Sequence, residues 1–429
     1  ISIAKYLNID YIHSKYRIGH NYNNINEDEW NKLYYDFFNL QKITKSFSES
    51  PFAPKSFNKL GLIYFNQGNN DQAQSNYQTV LTNYSQCPDV NDAVKGLKEI
   101  YIDKGDPQGF LNLMNGLPNV NITSQETDSL LYRSGENKFV KGDCDGATTD
   151  FTTYLTQFPK GAFDLEAHFY RAECLFKNKD YTRALTDYQF VNDAGNNRFT
   201  EKSFLQTARI EYTTLKDYQK AYNAYSDLLT AASFKSNAFE AQQGMMYCAW
   251  NLKQNENVLT AAQLVMNNEL ASDDDKLQAH YYMAKVLLAQ NKINDAQTEF
   301  DLVAKANHGD MSAEAGYELA HIYYLKNDTA NSMKQCDAIF NNPPENNYWL
   351  AKTYLLVAQM QFDAADYFQS RSTLESIISG YTVDDDILPA ANELLNKVQE
   401  KEAEQNKVLD ENQLQQMPVD STNNINPNH

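Results

Sequence analysis

The sequence predicts an all-α fold, a right-handed α-solenoid of stacked antiparallel helix pairs. Three observations predict it. One position recurs about every 37 residues, mostly as Ala or Ser: Ala73, Phe110, Ala147, Ala184, Ala221, Val258, Ala296, Ser332 and Ser370. Seven residues later every copy is bulky and apolar: Val80, Leu117, Tyr154, Val191, Leu228, Val265, Val303, Ile339 and Ile377. Nine residues before the small position stand Tyr64, Tyr101, Tyr212 and Tyr323, with Leu175 and Leu287. Self-similarity at 20–50 residues marks stacked supersecondary units, and a solenoid of 429 residues grows without a new core for each domain.

The elements follow in order. Residues 1–53 read as N-terminal helices and a degenerate repeat. Ile1–Tyr16 has helix-like patterning, and Ile18, Gly19 and Tyr22 fit a first helix. Asn23–Glu29 would be a polar loop and Trp30–Phe47 a second helix. The chain starts with Ile, which suggests a processed or truncated piece with any leader or lipid anchor upstream. Residues 54–388 hold nine helix pairs. In Pro54–Tyr84 the first helix carries Phe57, Leu60, Gly61 and Tyr64 on one face. A turn follows at Gln67–Asn70, where Gly68 suits positive φ. Asp71 is placed to cap a second helix, whose buried face is Ala73, Tyr77, Val80 and Leu81; the chain then turns through Ser85–Pro88. The unit around Phe110 puts Lys98 where a small residue is expected, so that unit should be distorted. Residues 389–399, Pro389–Val398 at their heart, read as a capping helix that shields the last apolar face. Residues 400–429 are polar and Asn/Gln-rich, a fraying helix and then disorder.

Phe57, Leu60, Gly61, Tyr64, Ala73 and Tyr77 carry the aromatic, Leu-Gly, Tyr, Ala, aromatic pattern, and the chain resembles a tetratricopeptide-repeat (TPR) protein. Looser matches are Gly135, Ala147, Phe151 and Pro159; Ala172, Tyr181, Ala184 and Tyr188; and Leu319, Ala320 and Tyr323. The resemblance runs from about Lys15 to Val398, although the usual period is 34. A narrower likeness lies in Phe151–Val191, where Phe151, Tyr154, Leu155, Phe158 and Pro159 precede Phe163, Ala167, Phe169 and Tyr170, then Asp180, Tyr181 and Ala184. This cadence is similar to that of bacterial envelope TPR proteins, such as the Tol–Pal-associated coordinator and the outer-membrane assembly lipoproteins. The likeness implies the periplasm or the periplasmic face of the outer membrane, with the cytoplasm as the alternative. TPR chaperone adaptors grip carboxylates with paired Lys and Asn. The corresponding spots here hold Asn58 with Leu62, Phe169 with Glu173, and Tyr281 with Lys285, so that mode is excluded.

Composition narrows the function. The net charge of −19 disfavours nucleic acid and anionic lipid as partners. No run approaches the roughly 18 apolar residues of a spanning helix. The five cysteines show no C-x-x-C pair, and Cys174 and Cys248 fall at equivalent, packed positions. No phosphate loop, H-E-x-x-H or G-x-S-x-G motif appears. His168, His280 and His321 read as packed helical histidines. Asp273–Asp275 fits a helix start, and neither it nor Asp384–Asp386 has the calcium-loop spacing. The expected catalytic, cofactor and metal residues are therefore none, and the chain is read as a binding protein, not an enzyme.

A surface remains. In this fold the first helices line the concave face. Near the end of each stand Phe65, Ile102, Phe139, Phe176, Thr213, Trp250, Leu288, Tyr324 and Phe362, six of nine aromatic. Tyr132, Phe169, Tyr247, Tyr281 and Tyr317 are expected to face inward too, among Glu136, Glu173, Glu240 and Glu314. The expected groove is thus Phe65, Tyr132, Phe139, Phe169, Phe176, Tyr247, Trp250, Tyr281, Tyr317, Tyr324 and Phe362, with Trp250, Tyr247 and Tyr281 the most open. An aromatic, acid-rimmed groove suits an extended peptide or a partner helix with basic side chains. Packing between helices is the competing use of the same rings. A rigid spacer that binds through its ends and convex face is the alternative function.

Overall fold

The computed structural model describes residues 27–117, 120–306 and 309–415, and among them it holds twenty α-helices and no strand. The expected helices at Ile1–Tyr16 and around Ile18–Tyr22 lie outside the described residues. The chain divides into two compact units, Ile1–Ile210 and Glu211–His429. In the first, α1 (Glu27–Ser46) precedes α2 (Ala53–Asn66), α3 (Asn70–Asn83), α4 (Val90–Lys104), α5 (Pro107–Asn115), α6 (Ser124–Val140), α7 (Cys144–Gln157), α8 (Asp164–Lys177), α9 (Tyr181–Asp193) and α10 (Thr200–Arg209). A π turn, Ile210–Leu215, ends that tenth helix. The second unit holds α11 (Tyr218–Ala231), α12 (Lys235–Asn251), α13 (Asn255–Met266), α14 (Asp273–Ala289), α15 (Ile293–Lys305), α16 (Gly309–Leu325), α17 (Thr329–Asn341), α18 (Asn347–Asp363), α19 (Tyr367–Gly380) and α20 (Ile387–Gln415).

The recurring small position is the tightest point of each pair. Ala73, Ala147, Ala184, Ala221, Val258, Ala296, Ser332 and Ser370 are all 0% exposed, and Phe110 is 1%. The two serines keep their hydroxyls satisfied: Ser332 Oγ donates to Ala320 O and Ser370 Oγ to Ala358 O, each at 2.8 Å. The large neighbour is equally constrained. Tyr77 lies so close that a Cβ on Gly61 would stand 2.8 Å from its ring and one on Gly96 2.2 Å. A ring wedged between two repeats needs glycine on both sides.

The backbone of the turn inside each pair follows one pattern, with a single variant at Asp217. A left-handed residue sits five positions before the small one: Gly68, Gly105, Gly142, Lys179, Lys216, Lys253, Asn291, Asn327 and Ala365, with φ between 54° and 81°. Where the next residue is Asn or Asp it does two jobs; Gln254 and Lys292 only close the first helix with their N–H. In the first pair, Asn69 N–H closes α2 on Tyr64 O at 2.9 Å, and its side chain accepts Gln72 N–H at 3.2 Å to cap α3. Asp106, Asp143, Asp180, Asp328 and Asp366 repeat both bonds. Asp71 is therefore not the cap, because α3 begins one residue earlier, at Asn70; Asp71 instead lies 3.5 Å from Lys104. At Asp217 the closing bond reaches Glu211 O, one residue further back. The π turn takes up that residue: Phe199 to Asp217 is one residue longer than Phe163 to Asp180.

Three expectations change in detail. The helix expected at Trp30–Phe47 is α1, which starts at Glu27 and so takes the last residues of the expected Asn23–Glu29 loop. The Lys98 unit is distorted through its second helix: α5 has 9 residues, against 13 or 14 in its neighbours α3, α7 and α9. The C-terminal helix does not stop near residue 399 but runs to Gln415. Its packed face ends at Val398, and beyond it Arg371 reaches Glu402 at 3.6 Å while Lys401 pairs with Glu404 at 2.7 Å.

Two substitutions test this packing. Ala184→Leu places three extra carbons at a site with no free space and should cost roughly 1–3 kcal/mol in urea unfolding. Asp143→Ala removes a cap and should cost about 1 kcal/mol, with the loss of helix protection in hydrogen exchange confined to the first turn of α7.

Candidate partner-binding face

First helices of neighbouring repeats touch within each unit, α2 with α4, α4 with α6 and α6 with α8 in one, α16 with α18 and α18 with α20 in the other. Each unit therefore presents a face made of first-helix side chains.

In the first unit that face is largely closed. Tyr132 is 4% exposed because the Phe163 ring, at the N-terminus of the next first helix, stacks on it at 4.4 Å and 6°. Phe169 is 6% exposed for the same reason, with Phe199 stacked at 4.2 Å. These two rings were expected in the groove and are instead inter-repeat packing. The others are half-buried: Phe139 packs on Tyr170 at 4.7 Å, Phe176 meets Tyr181 edge-on at 5.7 Å, and Phe65 lies on the first core cluster. The acids are engaged as well. Glu136 accepts the Tyr132 hydroxyl at 2.8 Å, and Glu173 accepts Tyr188 at 2.7 Å and pairs with Lys202. Glu99 holds Arg133 through two bonds of 2.7 and 2.8 Å.

The same junction explains the Phe151–Tyr170 cadence. Tyr154 is fully buried, and its hydroxyl oxygen accepts Phe163 N–H at 2.9 Å. Asp128 accepts Ala162 N–H at 2.9 Å. The motif fastens one repeat to the next.

The second unit is more open. Tyr247, Trp250, Tyr281, Tyr317, Tyr324 and Phe362 are all half-buried. Trp250 leans on Tyr282 at 4.9 Å, and Lys285 Nζ sits 5.6 Å from the Trp250 ring and 5.2 Å from Tyr281. Tyr317 stands between Trp349, at 5.6 Å, and Lys352 Nζ, at 5.9 Å. Hydroxyls bridge successive helices: Tyr247 to Gln278 at 2.7 Å, Tyr281 to Glu314 at 2.7 Å and Tyr324 to Asp363 at 2.6 Å. Burial pushes Tyr247 and Tyr317 up to about 12, and the Asp363 bond, with burial, does the same for Tyr324. Phe362 faces Tyr367 of the second helix at 5.6 Å and belongs to the C-terminal core.

Two charged residues of this face, Lys352 and Glu318, were missed from sequence, and Lys285 was seen only as a departure from the carboxylate-gripping pattern. Lys285 holds Glu314 at 2.6 Å, and Lys352 holds Asp386 at 3.0 Å and Tyr348 at 2.7 Å. Burial, with repulsion from Glu314, raises the Glu318 carboxyl; burial, with repulsion from Lys352, lowers His321. The available signal was spacing: Glu318 lies one helical turn from both Glu314 and His321.

The clusters that could suggest chemistry are structural. His168 Nδ1 lies 2.6 Å from Asp187 Oδ1, and Arg171 grips the same carboxylate at 2.7 and 2.8 Å. His280 and Glu299 repeat the arrangement with the same spacing at 2.5 Å. Both join a first helix to its own second helix. The Asp273–Asp275 run starts α14, with Ser272 and Asp275 capping each other. Cys174, Cys248 and Cys336 are fully buried, and burial pushes the last two thiols up to about 12. Among the described residues no group of three His, Cys, Asp or Glu is arranged to hold a metal ion, and no helix is long and apolar enough to cross a membrane.

Residues 59–86 and 132–191 match models of the tetratricopeptide repeat. The chain carries tetratricopeptide repeats. No curated protein matches it. Among solved structures, a TPR protein from Parabacteroides merdae is 16% identical, with 63% of this chain and 98% of that one covered and a TM-score of 0.32. The C-terminal part of a TPR repeat-containing protein from Cytophaga hutchinsonii is 14% identical over 60% and 98%, with a TM-score of 0.37. YrrB, a TPR protein described as having an unusual peptide-binding site, is 15% identical over 47% and 95%, with a TM-score of 0.35. Such superpositions are loose, and the repeat matches carry the assignment.

The Asp187 cluster yields a pH test. Burial alone would raise its carboxyl, but the bonds from Arg171 and His168 outweigh it and hold the group below its ordinary value. A depressed carboxylate adds stability above its unfolded pKa of about 3.9, and that stability is lost as pH falls through the folded value. Asp187→Asn should therefore cost roughly 1–3 kcal/mol at pH 7, and its melting temperature should converge with that of wild type as the pH drops below 4.

Proposed function

We propose that this chain is a non-enzymatic protein-interaction scaffold that takes an extended peptide or a helix along the first-helix face of the Glu211–His429 unit. The carrying observation is the half-buried run Tyr247, Trp250, Tyr281, Tyr317, Trp349 and Tyr324 on successive first helices, with cations already lying against three of its rings and the neighbouring Tyr348. Rigid aromatic rings beside partly desolvated charges are what interface hot spots use. The tetratricopeptide repeats and the acidic net charge support a protein partner carrying basic side chains. The Phe151–Val191 cadence favours a bacterial envelope assembly or secretion complex, with the chain in the periplasm or at the outer membrane.

A rigid spacer is the second reading, and the first unit favours it. Its first-helix face has its rings stacked and its acids paired. Such a face would hold partners apart through other surfaces.

Selection from a random dodecamer display library on the full chain tests the groove. Wild type should enrich related peptides, and Trp250→Ala/Tyr281→Ala, folded by its thermal melt, should bind them at least tenfold more weakly. Enrichment that survives the double variant would move the function to the spacer reading.

A further inference from the structure

On the first-helix face of the second unit, the carboxylates that reach it already have donors. Asp275 accepts from Gln243 at 2.6 Å, Glu314 from Tyr281 and Lys285, Asp363 from Tyr324, and Asp386 from Lys352. Glu318 is different. Among the described residues it makes no hydrogen bond or ion pair, although it is half-buried on α16. The lysines near enough to act on it, Lys285 from α14 and Lys352 from α18, are held by Glu314 and by Asp386 with Tyr348. Tyr281 and Tyr317 also lie within its electrostatic reach.

We infer that Glu318 is the anchor for an arginine side chain of the bound partner segment, with the Tyr281 and Tyr317 rings as the walls beside the guanidinium. This rests on the groove reading above and names what the groove selects. Three observations on the molecule and one general property of arginine support it. The carboxylate lacks a donor, and an arginine fork supplies two. The rings beside it accept cations in this very structure, since Lys285 stands over Trp250 and Tyr281, and Lys352 over Tyr317 and Tyr348. A planar, weakly hydrated guanidinium uses a carboxylate and a ring together better than an ammonium does. The charge of −19 attracts a basic segment.

The free protein bears the cost of this arrangement. Burial and the Glu314 charge push the Glu318 carboxyl up. A raised carboxyl stabilises the fold below its unfolded pKa, and that contribution is lost as pH rises through the folded value. An ionised Glu318 is thus a liability in the unbound chain, so Glu318→Gln should leave the melting temperature unchanged or higher.

The experiment is an array of octapeptides, randomised except for a central Arg, Lys, citrulline or Glu, probed with the full chain. Wild type should retain Arg-centred peptides at least tenfold better than their citrulline twins, which keep the shape and lose the charge. Glu318→Gln should lose that preference. Glu375→Gln, which removes the same charge from an exposed second-helix site, should keep it. Equal binding of Arg and citrulline peptides, or an Arg preference that survives Glu318→Gln, overturns the Glu318 assignment and leaves the groove standing. Binding of no octapeptide in any class overturns the groove and the anchor together.

Discussion

The rest of the structure depends on how closely the two helices of a pair approach at one buried position. Where Ala73, Ala147, Ala184, Ala221 and Ala296 stand, nothing of the side chain remains exposed. A contact that close fixes the distance and register of the pair. It also limits the connection, because the chain must reverse within three residues of the first helix's last turn. The left-handed residue achieves this, followed in seven of the nine turns by an Asn or Asp. Its single backbone reversal lets one residue end the first helix with its N–H and begin the second with its side chain. Close approach and short turn together keep the period near 37, and the period allows each repeat to meet the next in the same way.

That meeting is where the aromatic residues divide into two groups. An aromatic at the N-terminus of a first helix folds back over the ring of the previous one, as Phe163 does over Tyr132 and Phe199 over Phe169. Burying two rings against each other stabilises the junction through apolar area and offset stacking. In the second unit the corresponding contacts are looser, with tilted rings about 5 to 6 Å apart and a lysine over one ring of each pair. The unit gives up some stacking and gains a face of half-buried rings and charges. Stability and recognition draw on the same side chains, and the two units resolve that competition differently.

Electrostatics follow the same division. Most carboxylates of the first-helix faces are neutralised within the chain, by tyrosine hydroxyls, lysines or arginine. The partly buried His168–Arg171–Asp187 and His280–Glu299 sets have the residue types of an acid–base site, yet each ties a first helix to its own second helix. The acidic character that points to a basic partner therefore resides in few groups, and Glu318 is the one left without a donor among the described residues of its face.

Fold class, repeat period, pair order and turn positions were legible in the sequence, because each follows from short-range chemistry repeated many times. Small residues at one register, bulky ones seven later and Gly-Asp pairs between helices can be read within 15 residues of each other. The turn's wider rule, an Asp or Asn after the left-handed residue in seven of nine copies, was also legible and was overlooked because glycine occupies the left-handed position in only three of them. The tertiary structure alone decided which rings are open. Tyr132 and Tyr317 look alike in sequence, but Tyr132 is covered by a residue about 30 positions away that stacks flat on it, whereas Trp349 only leans on Tyr317. It also decided that Glu318 is unpaired, since that depends on Lys285 and Lys352, from two other helices, settling on Glu314 and Asp386 instead. Exposure and pairing belong to the contact between repeats, and no single repeat contains that information.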